Sequence, residues 1–520
     1  MRLSVRQFFP DSAEKWKKFA KIVIPVIFAT LFISINNFID NFMVSQISGG
    51  ITAVGIANVW TAIIFSFIVS INSIGSIIFS QYWGKKQRKL ARQVNNIRYI
   101  LAVTTVLIFA IFAWIIPDQM LSAVQRNKNL TNLHKNIFEE AKSYLFIIAF
   151  SWILFAYIVT SSAILREIGI MKIALFFTLL TLISNVSLNL VLIPKMGVAG
   201  SALATVISRC ISAILMTFYI FFYKKDIRIS ILKLFKIEKK IWKQYFRRFF
   251  GMNLVIITSL IISIRSILWA QSLPPGSIGS DDGTGFYKYW GIGFLTISGI
   301  VMTIVNILLA TFTSIQTSVS IVVSRNLGQD KIEKARKNAA MLKGFLFIVS
   351  LTMSILALIV VIIITKTNLI TKGLEIQVQK GMENYFTEHN LAINLEIIQK
   401  QQGLATNFYL SQIFWICLLI VFLNPIWVQI NSSLNIIQAG GRANFASLCD
   451  FFIGICQFLW QLLVVFVFLP LLKDVKTKLF FSMLIFYFSD IIKWIIYEIL
   501  YLKTNWAINL TLEKTAKKIL

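Results

Sequence analysis

Twelve apolar stretches, each long enough to cross a lipid bilayer, leave this chain few folds to choose from. A transmembrane helix needs about 20 consecutive, mostly apolar residues. Such runs occur at 21–45, 53–82, 98–117, 143–165, 173–193, 198–222, 250–272, 290–324, 341–365, 407–435, 446–471 and 478–502. In lipid a backbone must satisfy its own hydrogen bonds, so isolated apolar runs of this length form helices. The expected fold class is an all-α polytopic membrane protein with twelve transmembrane helices, and an even number of crossings puts both termini on one side. With 57% of the 520 residues hydrophobic and only 14% charged, there is too much apolar surface for a soluble domain.

The chain also carries a net charge of +29. In a soluble protein such an excess would point to nucleic acid, but in a membrane protein its placement decides. Loops and span ends on the N-terminal side hold 35 of the 51 lysines and arginines, and the opposite loops hold 13. Basic residues collect on the cytoplasmic side, so both termini are expected there, in a multi-pass protein of the cell membrane with the bilayer as its partner and no nucleic acid. The N-terminus lacks the short apolar core and small-residue cleavage site of a signal peptide, so the first span is expected to direct insertion. The largest basic block, 223–248, reads as an amphipathic segment lying on an anionic leaflet. It divides the chain into an N-terminal six-helix lobe (1–222), a basic cytoplasmic linker (223–248) and a C-terminal six-helix lobe (249–520).

The two halves repeat. At an offset of 244, residues 70–92 align with 314–336, with identities that include Ser70/Ser314, Ser76/Ser320, Ser80/Ser324, Gly84/Gly328 and Arg92/Arg336. Coincident serines and glycines are not explained by apolar bias. A second echo sets 164–174 against 436–446. Six spans per half is an even number, so both halves enter from the same face and are related by a pseudo-two-fold axis along the membrane normal.

Ionisable groups inside spans are costly and are functional candidates by default. Asp40 lies in the first span with Asn36 one turn before it and Asn37 beside that, on one helical face; it reads either as a functional acid or as an interfacial one. Pro25, in the same span, lacks the N–H that a helix needs there and is a candidate bending point. In the second half Asp490 and Lys493, three residues apart, read as a structural pair that neutralises itself or else as a second ion site, and Arg265 either snorkels or pairs with an acid such as Asp490. Asp450 and Glu498 read as interfacial, and Arg209 in the sixth span has no partner in the sequence. No phosphate-binding Gly-rich loop with Lys and Ser/Thr is present, so neither an ATPase cassette nor another enzyme is expected.

Pro25, Asp40, AVGIAN at 53–58, the Ser-Gln-x-x-Gly turn at 80–84, the Leu-Arg-x-x-Gly turn at 165–169 and GVAGSALAT at 197–205 follow one another in an order that resembles the multidrug and toxic compound extrusion (MATE) family. The resemblance implies two six-helix lobes about a central cavity. It also implies export of amphipathic, often cationic, drug-like small molecules by alternating access, driven by proton or sodium antiport, with no other cofactor. The family's cation site joins the acid of span 1 to span 5. Here Thr178, Thr181, Asn185 and Asn189 share one stripe of that span, which reads either as part of such a site or as interhelical hydrogen bonding. The resemblance makes Asp40, Asn36, Asn185, Asn189 and Thr205 the cation-coupling set, with sodium at Asp40 the only metal. Asn189 stands where many members have a second aspartate. A proton needs fewer ligands than sodium, and the expectation leans that way. A monomer is expected. Two alternatives stay open: a lipid-linked oligosaccharide flippase of the same superfamily, favoured by Arg209 and Arg265, and a membrane scaffold that transports nothing.

Overall fold

In a computed structural model, the structure describes residues 8–44, 47, 50–124, 132–228, 233–280, 283–367 and 370–512. In the first half the helices are α1 (Ala13–Val44), α2 (Gly50–Gly84), α3 (Arg88–Ile115), the short α4 (Pro117–Val124), α5 (Asn132–Ile168) and α6 (Met171–Tyr223). The second half holds α7 (Lys239–Ser272), α8 (Phe294–Val319), the single turn α9 (Arg325–Gly328), α10 (Ile332–Lys366), α11 (Lys372–Glu388), α12 (Leu395–Ile437), α13 (Ala443–Leu463), α14 (Leu469–Leu471) and α15 (Lys478–Lys503). Among the described residues nine helical stretches are long and apolar enough to cross a membrane, and two of them, Met171–Tyr223 and Leu395–Leu471, have room for two crossings each. With these doubled and α7 added, the twelve expected spans are present.

Each double stretch breaks where the backbone leaves helical geometry. In α6 the break is Gly197, three residues after Pro194. Between α12 and α13 it is Gly441, whose φ of 110° nearly matches the 102° of Gly169 between α5 and α6. Gly169 and Gly441 occupy the same place in the second repeat, and a left-handed turn without a Cβ clash is what both need.

The first repeat is visible as contact. Ser76 and Ser320, equivalent in sequence, face each other with hydroxyl oxygens 2.8 Å apart, where α2 meets the π-helical turn Ser320–Ser324. A Cβ on Gly84 would strike the Arg325 carbonyl, and one on Gly328 would strike the Gln81 carbonyl. Gln81 and Arg325 are themselves repeat equivalents, so the contact is self-complementary, as a two-fold axis between the halves requires. Gly328→Val is therefore expected to prise the halves apart at this point. In a Ser76→Cys/Ser320→Cys background, where oxidation should cross-link the two helices, adding Gly328→Val should lower the cross-linked fraction several-fold.

Both described ends of the chain lie on one face: Asp11 pairs with Lys337 at 3.2 Å and Asn505 accepts from Arg336 at 3.1 Å. Beyond α15, residues 504–512 form a strap over that face. Ile508 N–H donates to the Gly440 carbonyl (2.9 Å) in the second half, and Leu510 N–H to Gln81 Oε1 (2.7 Å) in the first. The basic linker expected over 223–248 is only partly a linker, because α7 begins at Lys239 and carries its second part as helix. Gln244 in that helical part donates to the Leu510 carbonyl and accepts from the Tyr82 hydroxyl.

Candidate functional site

Helix α1 passes from one half of the molecule to the other. Phe19, Ile22, Val23 and Ile27 are buried in the same core as α8 and α10, and Phe19 meets the Phe345 ring edge-on. Thr30 and Thr313 share a hydrogen bond of 2.7 Å. About two turns further Asn36 meets Asp40, and about three turns further Asp40 itself turns to α6. Pro25 lies inside α1, in the arm packed on the second half, and the helix runs through it without a break. There the Lys21 carbonyl lacks its usual helical donor.

The five residues of the expected cation site come together. Asn36 Nδ2 donates to Asp40 Oδ2 at 3.0 Å and Asn189 Nδ2 to Asp40 Oδ1 at 2.5 Å. Asn189 Nδ2 also reaches Asn185 Oδ1 at 3.2 Å, and Asn185 Nδ2 reaches Thr205 Oγ1 at 3.2 Å. Asn185 and Asn189 are 1% and 0% exposed, so Asp40 is turned to the lobe interior. The break at Gly197 folds the second arm of α6 back and so brings Thr205 opposite Asn185. The lower part of the stripe is structural: Thr178 and Thr181 bond carbonyls of their own helix, and Thr181 shares 2.6 Å with Ser212. Two carbonyl oxygens of the cluster, Asn36 Oδ1 and Asn189 Oδ1, are buried without a hydrogen-bond partner among the described residues.

Arg209 follows Thr205 by one turn. Its Nη1 donates to Ser151 Oγ at 2.8 Å, its guanidinium lies 4.7 Å from the centre of the Phe155 ring, and it feels the charge of Asp40 without forming an ion pair with it. Below the cluster, a cavity of about 250 Å³ runs between α1, α2, α5, α6 and α8, with Asn36, Asn72, Asn185, Arg166, Glu167 and Gln316 among its polar walls. Glu167 is held by Arg98 through two bonds, of 2.7 and 3.0 Å, with both side chains almost fully buried. Arg98 Nε reaches Asn72 at 3.0 Å, and Arg325 from the other half donates to the Glu167 carbonyl. Arg98 at the start of one apolar run and Glu167 just past the end of another both look like span-end charges, so nothing in the sequence pairs them. The Leu-Arg-Glu-Ile-Gly turn was the available signal.

In the second half the expected pairings change. Lys493 pairs with Asp450 at 3.4 Å, not with Asp490, because three residues along a helix is only one of the directions in which a long side chain can reach. Asp450 also accepts from the Tyr497 hydroxyl at 2.6 Å, so its carboxylate is held within the helix packing. Asp490 accepts from Trp427 Nε1 at 2.8 Å and Gln457 Nε2 at 2.6 Å. Arg265 neither snorkels nor pairs with Asp490; its Nε donates to Gln461 Oε1 at 3.1 Å. Glu498, also read as interfacial, binds the fully buried Lys343 at 2.6 and 2.7 Å.

Comparison with known proteins gives a consistent answer. The family model MatE matches residues 25–191 and 284–368. The uncharacterized transporter YisQ of Bacillus subtilis is 29% identical over 214 residues, 39% of this chain and 44% of its own length. The probable multidrug resistance protein YoeA of the same organism is 21% identical over 333 residues, 62% of this chain and 66% of its own. The chain thus matches less than two thirds of either relative's length. A MOP superfamily transporter from Pyrococcus furiosus, described as having a binding pocket of reverse polarity that suggests a different function, superposes with a TM-score of 0.67 at 15% identity, over 96% of this chain and 99% of that one. At that identity the likeness speaks for the fold.

Proposed function

This chain belongs to the MatE family, and from that membership we propose that it is an ion-driven exporter of amphipathic small molecules, with Asp40 as the group that takes up and releases the coupling ion. The observation that carries the reading is the clamp on Asp40. Among the described residues no second acid joins it: the one carboxylate is gripped by Asn36 from its own helix and by Asn189 from α6, so any change in its charge acts on both helices at once. Because α1 is anchored in the second half by Phe19 and Thr30, a shift at Asp40 is passed across the lobe boundary.

The coupling ion we propose is sodium. Sodium takes hard oxygen ligands, and the unpartnered Oδ1 atoms of Asn36 and Asn189 supply two beside the carboxylate, with Asn185 and Thr205 behind them. This reverses the lean towards protons drawn from ligand count alone. In proteoliposomes, export of a fluorescent organic cation should run on a sodium gradient imposed at matched pH; export that runs on a pH gradient alone would overturn the choice of ion.

A second reading, a flippase for lipid-linked anionic sugars, is favoured by the cavity's charge. Arg166 and Arg209 both line it, and no ion pair is formed by either among the described residues. The Pyrococcus furiosus transporter, whose pocket is described as reversed in polarity, is a precedent for such a departure. Export of the organic cation by the wild-type protein would count against this reading.

A further inference from the structure

Away from Asp40, α7, α8, α12 and α15 enclose a cavity of about 160 Å³ in the second half. Its walls are mostly apolar, with Trp269, Phe294, Ile297, Met483 and Phe486 buried around it, and they carry one charged side chain, Arg265. Ile262 and Met302, both about half exposed, stand at its mouth.

Arg265 is held in place but not used up. Gln461 clasps it twice: its Oε1 accepts from Arg265 Nε at 3.1 Å, and its Nε2 donates to the Arg265 carbonyl at 2.8 Å. The guanidinium lies 4.6 Å from the centre of the Phe486 ring. Among the described residues no carboxylate comes within ion-pair distance, and no acceptor meets its two terminal nitrogens. Asp490 acts on it from farther away, and the Asp490 oxygens are occupied by Trp427 and Gln457. A guanidinium fork fixed at Nε, with its Nη pair open beside an apolar slot, matches a carboxylate in two-point contact.

The geometry points to this cavity as a binding site for a small aromatic carboxylate, its ring in the slot beside Trp269 and Phe486 and its carboxylate on Arg265. The size fits, since an apolar cavity of about 150 Å³ takes up a benzene ring. Arg265 is the one charged side chain of the wall, so it matches a single negative charge on a ligand. The site is independent of the transport reading, because equilibrium binding is enough to reveal it.

The test uses the purified full chain in nanodiscs and ¹⁹F NMR line broadening with three probes sharing one ring: 4-fluorophenylacetate, 4-fluorobenzyl alcohol and 4-fluorophenethylamine. The carboxylate should bind at least tenfold more tightly than the alcohol or the amine. Arg265→Gln should remove that preference, and Arg265→Lys, which keeps the charge but not the fork, should retain part of it. Ile297→Trp, which fills the slot without touching the charge, should block all binding of the carboxylate. Equal binding of the amine by the wild-type protein overturns the proposal even if Arg265→Gln fails to fold, as does unchanged carboxylate binding by a folded Arg265→Gln protein.

Discussion

Asp40→Asn is expected to reduce ion-driven export to the level of empty vesicles while the protein still inserts and folds. The side chain keeps its shape, and an amide at position 40 can still accept from Asn36 or Asn189, so the local packing changes little. What disappears is the one formal negative charge a bound cation would meet, because position 189 carries an amide and not a second acid. Removing one partner of a charge pair in a low-dielectric site costs at least about 3 kcal/mol, roughly 100-fold in cation affinity. The loss should appear in proteoliposomes under a sodium gradient, with substrate binding in detergent retained. Wild-type rates from the variant would remove Asp40 from the coupling step. Asn185→Ala, one contact further out, should give a smaller loss, because it removes the Thr205 link and an acceptor for Asn189 but leaves the carboxylate in place.

The parts of this site that follow from helical periodicity could be read in the sequence, and those that depend on how helices pack could not. Asn36 and Asp40 are one turn apart, as are Asn185 and Asn189, so each pair shares a face whatever else the chain does. Only the break at Gly197 decides that Thr205 returns beside Asn185. The repeat was legible because its glycines and serines lie at the contact between halves, where Ser76 meets Ser320 and a Cβ has no room on Gly84 or Gly328. The charges were not. Arg98 and Lys343 stand near the start of corresponding spans, yet one pairs with Glu167 at the end of α5 and the other with Glu498 in α15. Lys493 likewise prefers an acid on another helix to the one on its own. Hydropathy marks where a charged residue is costly, and only the packing shows which neighbour compensates it.

The largest effect on stability is expected at the Arg98–Glu167 pair. Arg98 is 0% and Glu167 3% exposed, and the guanidinium meets both carboxylate oxygens while its Nε is bound to Asn72. A buried ion pair often adds little net stability over an apolar pair of the same volume, but removing one partner leaves an uncompensated charge and costs about 3–5 kcal/mol. Glu167→Gln should therefore lower the melting temperature of the purified protein by many degrees, and Arg98→Met should do the same. The double variant Arg98→Met/Glu167→Met should recover most of the loss, since no charge is then stranded. Gly75 sharpens the expectation for Arg98: a Cβ there would run into the Arg98 side chain, so α2 is cut to fit this arginine and a shorter residue leaves a gap. Glu167 also fixes the turn whose carbonyl accepts from Arg325 of the other half, so Glu167→Gln should lower the Ser76→Cys/Ser320→Cys cross-linked fraction as well. If the two single variants and the double variant melt alike, the pair is not acting as a compensated charge, and the network at this end of the cavity needs a different account.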